Sequence, residues 1–387
     1  MIQSFNRGTK YLERGRYQKA LACFKTCARE GDFKELWLNM GNVHRLLDQD
    51  DEATRCYLQA ADPNTPFLAG GYGHYDFALS NLGLLEYTYN RDDRAIEFYE
   101  AALQINPLHY DAIWNYSSAL LRKHSSGETV DVKSAWQMYE YRFKRSGGKP
   151  VDNTLPRWDG ISRGHSIVVV CEQGIGDHFM WGRYIQCLYQ YFSEVWVQLD
   201  NSLHELFSDF KLCNVVAETT ATVCVPLCSL AQYFPAQPGN WLRDKYATDP
   251  SGKIIVEWAG APGHSNDRNR SVSPHYFLDL GLPNLVNIRP GAKVPQGILA
   301  QPSSSWVETA KQVAAADLVI SVDTSLVHLC GALGVPCWLL QPLKETDFRW
   351  GSRGVENIWY DSVKVIRNPG SWNAVFNVVK EWYDTRS

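Results

Sequence analysis

Two rhythms of apolar and polar positions divide this 387-residue chain. In the first, small and aromatic residues recur with a period of about 34. Gly8, Gly41 and Gly83 are followed twelve residues later by Ala20, Ala53 and Ala95. Four positions further stand Phe24, Tyr57 and Tyr99, and then Cys27, Ala60 and Ala102. Pro107 closes the third unit. Small residues at fixed offsets let the two helices of a unit approach, and the aromatic fills the space beside them. The pattern therefore predicts stacked helix–turn–helix repeats. The second step is nine residues longer than the first, and residues 64–72, rich in Pro and Gly, read as the loop that absorbs the difference. A fourth, divergent unit is expected to start its first helix at Trp114 and to turn through 125–132. Ala135, Tyr139 and Phe143 mark its second helix.

Residues 146–160, SGGKPVDNTLPRWDG, read as a linker. Beyond them the rhythm changes. Short β-branched runs predict strands at 167–171, 195–199, 223–225, 254–258, 285–288, 318–321 and 337–340. Helical spacing predicts helices at 179–191, 306–315, 325–333 and 372–383. Apolar runs without alternation belong to strands buried on both faces, and strand–helix alternation gives a mostly parallel sheet. The break between halves falls near 249–253. The expected fold class is α plus α/β: an α-solenoid over 1–145, a linker over 146–165, and two Rossmann-like halves over 166–250 and 251–387.

Charge and composition narrow the function. A net charge of −4 lacks the basic excess of a general nucleic-acid binder. No apolar run reaches the roughly 18 residues of a membrane span. The N-terminal stretch is amphipathic without the apolar core of a signal peptide, so a soluble, cytoplasmic protein is expected. The ten cysteines form no CxxC pair and no zinc-ligand spacing, which points to small buried residues in a reducing compartment.

Four segments carry candidate chemistry. In Glu172-Gln-Gly-Ile-Gly-Asp177, Gly174 and Gly176 permit a tight turn and close ligand approach after a strand. This is not the full G-x-G-x-x-G fingerprint of a dinucleotide site. Asp177 at the strand end either caps the next helix or accepts a proton from an attacking hydroxyl. In Ser321-Val-Asp-Thr-Ser-Leu-Val-His328, Asp323, Thr324 and Ser325 stand at a helix start, where free N–H groups and the helix dipole favour a phosphate. His328 lies on the same approach. In the loop 258–271, Arg268 and Arg270 can neutralise a diphosphate. Asp347-Phe-Arg-Trp350, with a charged pair and an aromatic, can hold a base or sugar.

These stretches occur together and in order. With residues 136–143, 156–160, Arg183-Tyr184 and 317–336, they resemble bacterial and phage proteins that join tetratricopeptide repeats to a glycosyltransferase of the heptosyltransferase type. The resemblance implies the GT-B fold and inversion at the anomeric carbon in a single displacement. It implies no metal or other cofactor. By the same resemblance, Asp177 is the general base. Asp323, Thr324, Ser325 and His328 hold the donor's diphosphate and ribose, and Arg268 or Arg270 supplies a cation. Gly174, Gly176, Asp347 and Trp350 are further candidates. The partners implied are a nucleotide sugar, ADP-, UDP- or GDP-linked, a glycan or protein acceptor, and a protein partner at the repeat groove. The chain departs from the family in its short acceptor half, in Asn-Ile-Arg-Pro near where a Leu-Gln pair is usual, and in Cys330 where a small alanine is usual. A different class of reading is a non-catalytic scaffold that displays the groove on a retained transferase-like domain.

Overall fold

The computed structural model describes residues 1–68, 75–151, 154–209, 214–215, 220–264 and 266–386. By contacts the chain forms two compact units. One comprises Met1–Leu121 with Gln137–Lys149, the other Arg122–Trp136 with Pro150–Ser387.

The first unit is built from α1 (Ile2–Glu13), α2 (Tyr17–Ala28), α3 (Lys34–Leu46), α4 (Asp50–Ala61), α5 (Tyr75–Thr88), α6 (Asp92–Ile105), most of α7 (Tyr110–Ser125) and the end of α8 (Val132–Tyr139). These helices form a tetratricopeptide-like array. The recurring glycines have a direct steric cause. A Cβ on Gly8 or Gly41 would lie 2.5 Å from the ring of Phe24 or Tyr57, and one on Gly83 would lie 2.6 Å from Tyr99. All three rings are fully buried, as are Ala20, Ala53 and Ala95. Each pair of helices thus closes on one aromatic plate.

The fourth unit differs from expectation at both helices. α7 starts at Tyr110, not Trp114. Nδ1 of His109 accepts from the Ala112 N–H at 3.3 Å, so an imidazole caps the helix where no Ser, Thr, Asp or Asn signals a start. α8 stops at Tyr139, and a 3-10 turn, Glu140–Phe143, carries the chain on. In the expected loop 64–72, positions 64–68 are non-helical and 69–72 lie outside the described residues.

The second unit holds two parallel sheets. The first contains β1 (Gly164–Val170), β2 (Phe192–Gln198), β3 (Asn214–Val215) and β4 (Val223–Pro226) in the order β3-β2-β1-β4. α9 (Ile175–Trp181) follows β1, and α10 (His204–Asp209) follows β2. After α11 (Arg243–Tyr246) comes the second sheet, in the order β10-β9-β8-β5-β6-β7. Its members are β5 (Ile254–Glu257), β6 (Leu285–Asn287), β7 (Leu299–Ala300), β8 (Leu318–Val322), β9 (Cys337–Gln341) and β10 (Val363–Arg367). α12 (Asp267–Arg270), α13 (His275–Asp279), α14 (Trp306–Ala314), α15 (Ser325–Leu333) and α16 (Trp372–Arg386) complete it. Every residue of β5, β8 and β9 is buried, which is why their sequences run apolar without alternation.

Three strands carry no such signal. β3 and β7 have two residues each, and β10 breaks its apolar run with exposed Lys364. The helix expected over 179–191 is α9 followed by a 3-10 run, Gly182–Gln190. The expected linker is partly structural. Trp158 is buried, its N–H donates to the Cys224 carbonyl at 2.8 Å, and the Cys224 N–H donates to Pro156 at 2.9 Å. Residues 156–158 therefore extend the edge of β4. Among the described residues no helix is long and apolar enough to cross a membrane.

Gly41→Ala tests the plate contact by its sign. Intrinsic propensity favours Ala in a helix by about 1 kcal/mol. Overpacking against Tyr57 costs typically 1–3 kcal/mol. A net loss of stability is expected, read as a lower denaturant midpoint. A gain would mean that the close approach carries no constraint.

Candidate functional site

Each sheet reverses its strand order at one place. In the first, β2 lies on one side of β1 and β4 on the other. In the second, β6 lies on one side of β5 and β8 on the other. Chains leaving such neighbours diverge and open a crevice at the carboxyl ends, where α/β folds bind ligands. Asp177 follows β1, Arg270 follows β5, and Asp323 follows β8.

The turn after β1 gains its sharpness from an unexpected residue. Gln173 has φ 71, while Gly174 has an ordinary φ of −87. Gly176 is needed for proximity instead, since a Cβ there would lie 2.6 Å from Cδ2 of His328. Asp177 Oδ2 accepts from the Gly174 N–H at 3.1 Å, the reach-back of a capping residue. Its Oδ1 accepts from Trp181 Nε1 at 3.3 Å and also takes Nη2 of Arg349. Cys228, just past β4, brings its thiol within 4.0 Å.

Arg349 links this carboxylate to another. Its Nη1 donates to both oxygens of Asp347, at 2.9 and 2.7 Å, and its backbone N–H donates to Oδ1 at 2.9 Å. Burial works against the charge on Asp347, but the Arg349 guanidinium and these hydrogen bonds outweigh it and hold the carboxyl below its usual range. The next residue, Trp350, is buried and donates from Nε1 to Asp323 Oδ1 at 2.9 Å.

Asp323 stands one residue before Thr324, the N-cap of α15. No side chain caps that helix, and the Thr324 hydroxyl lies 3.2 Å from the Ser321 hydroxyl instead. Asp323, Thr324 and Ser325 are half-buried. The two arginines of α12 separate by burial. Arg268 is exposed, whereas Arg270 is buried and donates from Nη1 to the Asp323 carbonyl at 2.8 Å, across the β5–β8 reversal. Burial, and then the neighbouring Asp347 charge, push the Asp323 carboxyl up to about 6.

His328, on α15, lies 4.8 Å from the Trp350 ring, and its Nδ1 meets the Tyr360 hydroxyl at 3.1 Å. Burial, and then the Arg349 charge, push it down to about 3, so it is neutral at physiological pH. Burial also pushes Tyr360 up to about 12. Among the described residues no three His, Cys, Asp or Glu side chains gather as a metal-ligand set.

Sequence reasoning gave three buried groups no role of their own. Arg349 was read only as half of the charged pair in 347–350, and Arg183 only as part of a matching stretch. Tyr360 lies in a loop with no motif. Arg183 donates from Nε to Met180 O at 2.7 Å and from Nη1 to Trp359 O at 2.8 Å, with its guanidinium 4.6 Å from the Tyr360 ring centre. An arginine two residues after an aspartate was the one legible hint, for Arg349.

The shifted carboxyl makes a pH prediction. Asp323's folded pKa lies above the ordinary carboxylate value of 3.8, so its protonation favours folding below that value, and the contribution is lost as pH rises through about 6. Asp323→Asn keeps an acceptor for Trp350 and removes the ionisation. Its stability relative to wild type should rise between pH 4 and 7 in parallel denaturant titrations. A difference independent of pH would place the Asp323 carboxyl in an ordinary environment.

No protein-family profile matches the sequence, and no curated protein matches it. Among solved structures, the chain is similar to MamA at 20% identity, over 36% of this chain and 75% of that one, with a TM-score of 0.30. It is similar to the dodecameric iron-containing heptosyltransferase TibC, solved with ADP-D-beta-D-heptose, at 11% identity, over 63% and 82% of the two chains, with a TM-score of 0.40. It is also similar to an O-GlcNAc transferase variant from Thermobaculum terrenum, at 12% identity over 98% and 88% of the chains, with a TM-score of 0.36.

Proposed function

We propose that this protein is an inverting glycosyltransferase that moves a sugar from a nucleoside diphosphate to a hydroxyl of a glycan or protein. The observation that carries the reading is the contact of Asp177, after the first sheet's strand reversal, with Arg349 of the second sheet, whose neighbour Trp350 bonds Asp323 ahead of the start of α15. A carboxylate beside a diphosphate-type site is what displacement at an anomeric carbon requires.

In the proposed step, Asp177 takes the proton of the acceptor hydroxyl as its oxygen bonds to the anomeric carbon. The bond from that carbon to the diphosphate oxygen breaks, and its electron pair leaves on the diphosphate. Arg270 and the uncapped first turn of α15 stabilise that charge. Ser325 adds a hydroxyl. His328, held neutral by burial, adds no charge and is in place to hydrogen-bond a phosphate or ribose. Charge stabilisation by these groups is the proposed substitute for a metal. Arg289, in the Asn-Ile-Arg-Pro stretch, donates to the Ala259 and Gly260 carbonyls at 2.6 and 2.7 Å, so its guanidinium braces a turn. The proposed donor is an ADP-, UDP- or GDP-linked sugar.

One observation favours the scaffold reading. Asp177 accepts from Gly174, Trp181 and Arg349 at once, as a structural ion pair would. The two readings part on a single variant. Asp177→Asn keeps size and acceptor oxygen but removes the base. Transfer from the best nucleotide sugar in a panel should fall roughly 10²–10⁴-fold, the usual worth of general-base catalysis. Turnover within a few-fold of wild type, together with a lowered melting temperature, would make Asp177 a structural cap.

A thermal-shift screen of nucleotides and nucleotide sugars names the donor, since a ligand that binds the native state raises its melting temperature by mass action. Transfer is expected to survive excess chelator. Loss of activity restored by magnesium or manganese would overturn the metal-free mechanism.

A further inference from the structure

Arg349 is the residue whose position the proposed reaction does not yet explain. Its side chain is only 7% exposed, and a buried guanidinium must be paired. It is paired twice, with Asp347 through Nη1 and with Asp177 through Nη2. The two partners are unequal. Asp347 takes Nη1 on both oxygens and also caps the Arg349 backbone, so it anchors the residue. Asp177 takes one nitrogen, on an oxygen it already shares with Trp181.

That second pairing conflicts with catalysis. A carboxylate bonded by a guanidinium, an indole N–H and a backbone N–H has its strongest acceptor position filled by a cation. It cannot take a proton from a hydroxyl through that lone pair while the cation stays. The same guanidinium fork is the side chain best matched to phosphate oxygens. It also stands one residue from Trp350, which is bonded to Asp323 ahead of the uncapped start of α15.

We propose that Arg349 is a diphosphate ligand held in reserve by Asp177. Nη2 leaves Asp177 for a phosphate oxygen when a nucleoside diphosphate binds, while Nη1 stays on Asp347. Donor binding and the freeing of the base are then one event. Without a donor, Asp177 is neutralised and the acceptor is not activated. This inference rests on the reading of the site as a nucleoside-diphosphate site.

The consequence is a competition with a diagnostic sign. Asp177 and the diphosphate contend for one guanidinium, so removing the Asp177 charge should tighten nucleotide binding. Calorimetric titration of the full chain with ADP, UDP and GDP measures this. For whichever nucleotide binds wild type, Asp177→Asn should bind several-fold to roughly tenfold tighter. Arg349→Lys, which keeps the charge but loses the fork, should bind weaker, roughly tenfold. In Asp177→Asn combined with Arg349→Lys, most of the tightening should disappear, because the contested group is gone. A merely structural ion pair predicts equal or weaker binding for Asp177→Asn, and either result overturns the proposal. Tightening that persists undiminished in the double variant also overturns it, since Arg349 is then not the contested cation. If none of the three nucleotides binds wild type, the nucleoside-diphosphate reading itself fails, which is a different result from a wrong sign. Should Asp177→Asn not fold, Asp177→Ser carries the same expected sign.

Discussion

A buried guanidinium in contact with two carboxylates ties together the two sheets of the second unit. Arg349 reaches Asp177 after β1 in one sheet, yet it is carried on the segment after β9 in the other. A buried charge that loses its partners is costly, so the two sheets cannot part at this point without moving the arginine to another anion or into water. Asp177, Asp347, Asp323 and His328 all take their electrostatic surroundings from this neighbourhood. The opposite shifts of Asp323 and His328, both toward the neutral form, share burial as their first cause.

The segment that carries Arg349 is fastened from several sides. Arg122 is fully buried and donates to the Thr346 carbonyl at 3.1 Å. The Ser352 N–H donates to the Ser126 hydroxyl at 2.8 Å, and Trp359 Nε1 donates to the Ser125 hydroxyl at 2.9 Å. Trp136 packs edge-on against Trp181, Phe348 and Trp359. These contacts explain why residues 122–136 group with the second unit, although their sequence continues the helical repeat. Part of the chain's aromatic richness lies in this cluster, where Arg349 stands 5.7 Å from the Trp181 ring centre.

Steric fit and electrostatics also meet at Gly176. The residue reads as a flexible turn glycine, but its backbone is unremarkable in conformation and its missing Cβ is what matters. It lets the His328 ring lie against the turn after β1. The strained φ belongs to Gln173 beside it. Strain of this kind persists only where the surroundings over-determine the backbone, and it gathers at functional turns.

The sequence by itself determined what local spacing encodes. The glycine–alanine–aromatic period specifies the helix pairs because each aromatic needs a small residue opposite. The unbroken apolar runs specify the buried strands because both of their faces are covered. Asp177, Asp323 and Arg270 were legible as strand-end or loop residues for the same local reason. Only the tertiary structure decided which of these groups meet. The strand order that brings β5 beside β8, the separation of buried Arg270 from exposed Arg268, and the pairing of Arg349 with Asp177 across 172 positions of chain are long-range outcomes. No local propensity encodes them, because they follow from how two sheets pack and how buried charges find partners. The His109 cap and the two-residue strands were illegible for the opposite reason, since their signals are too short to rise above composition.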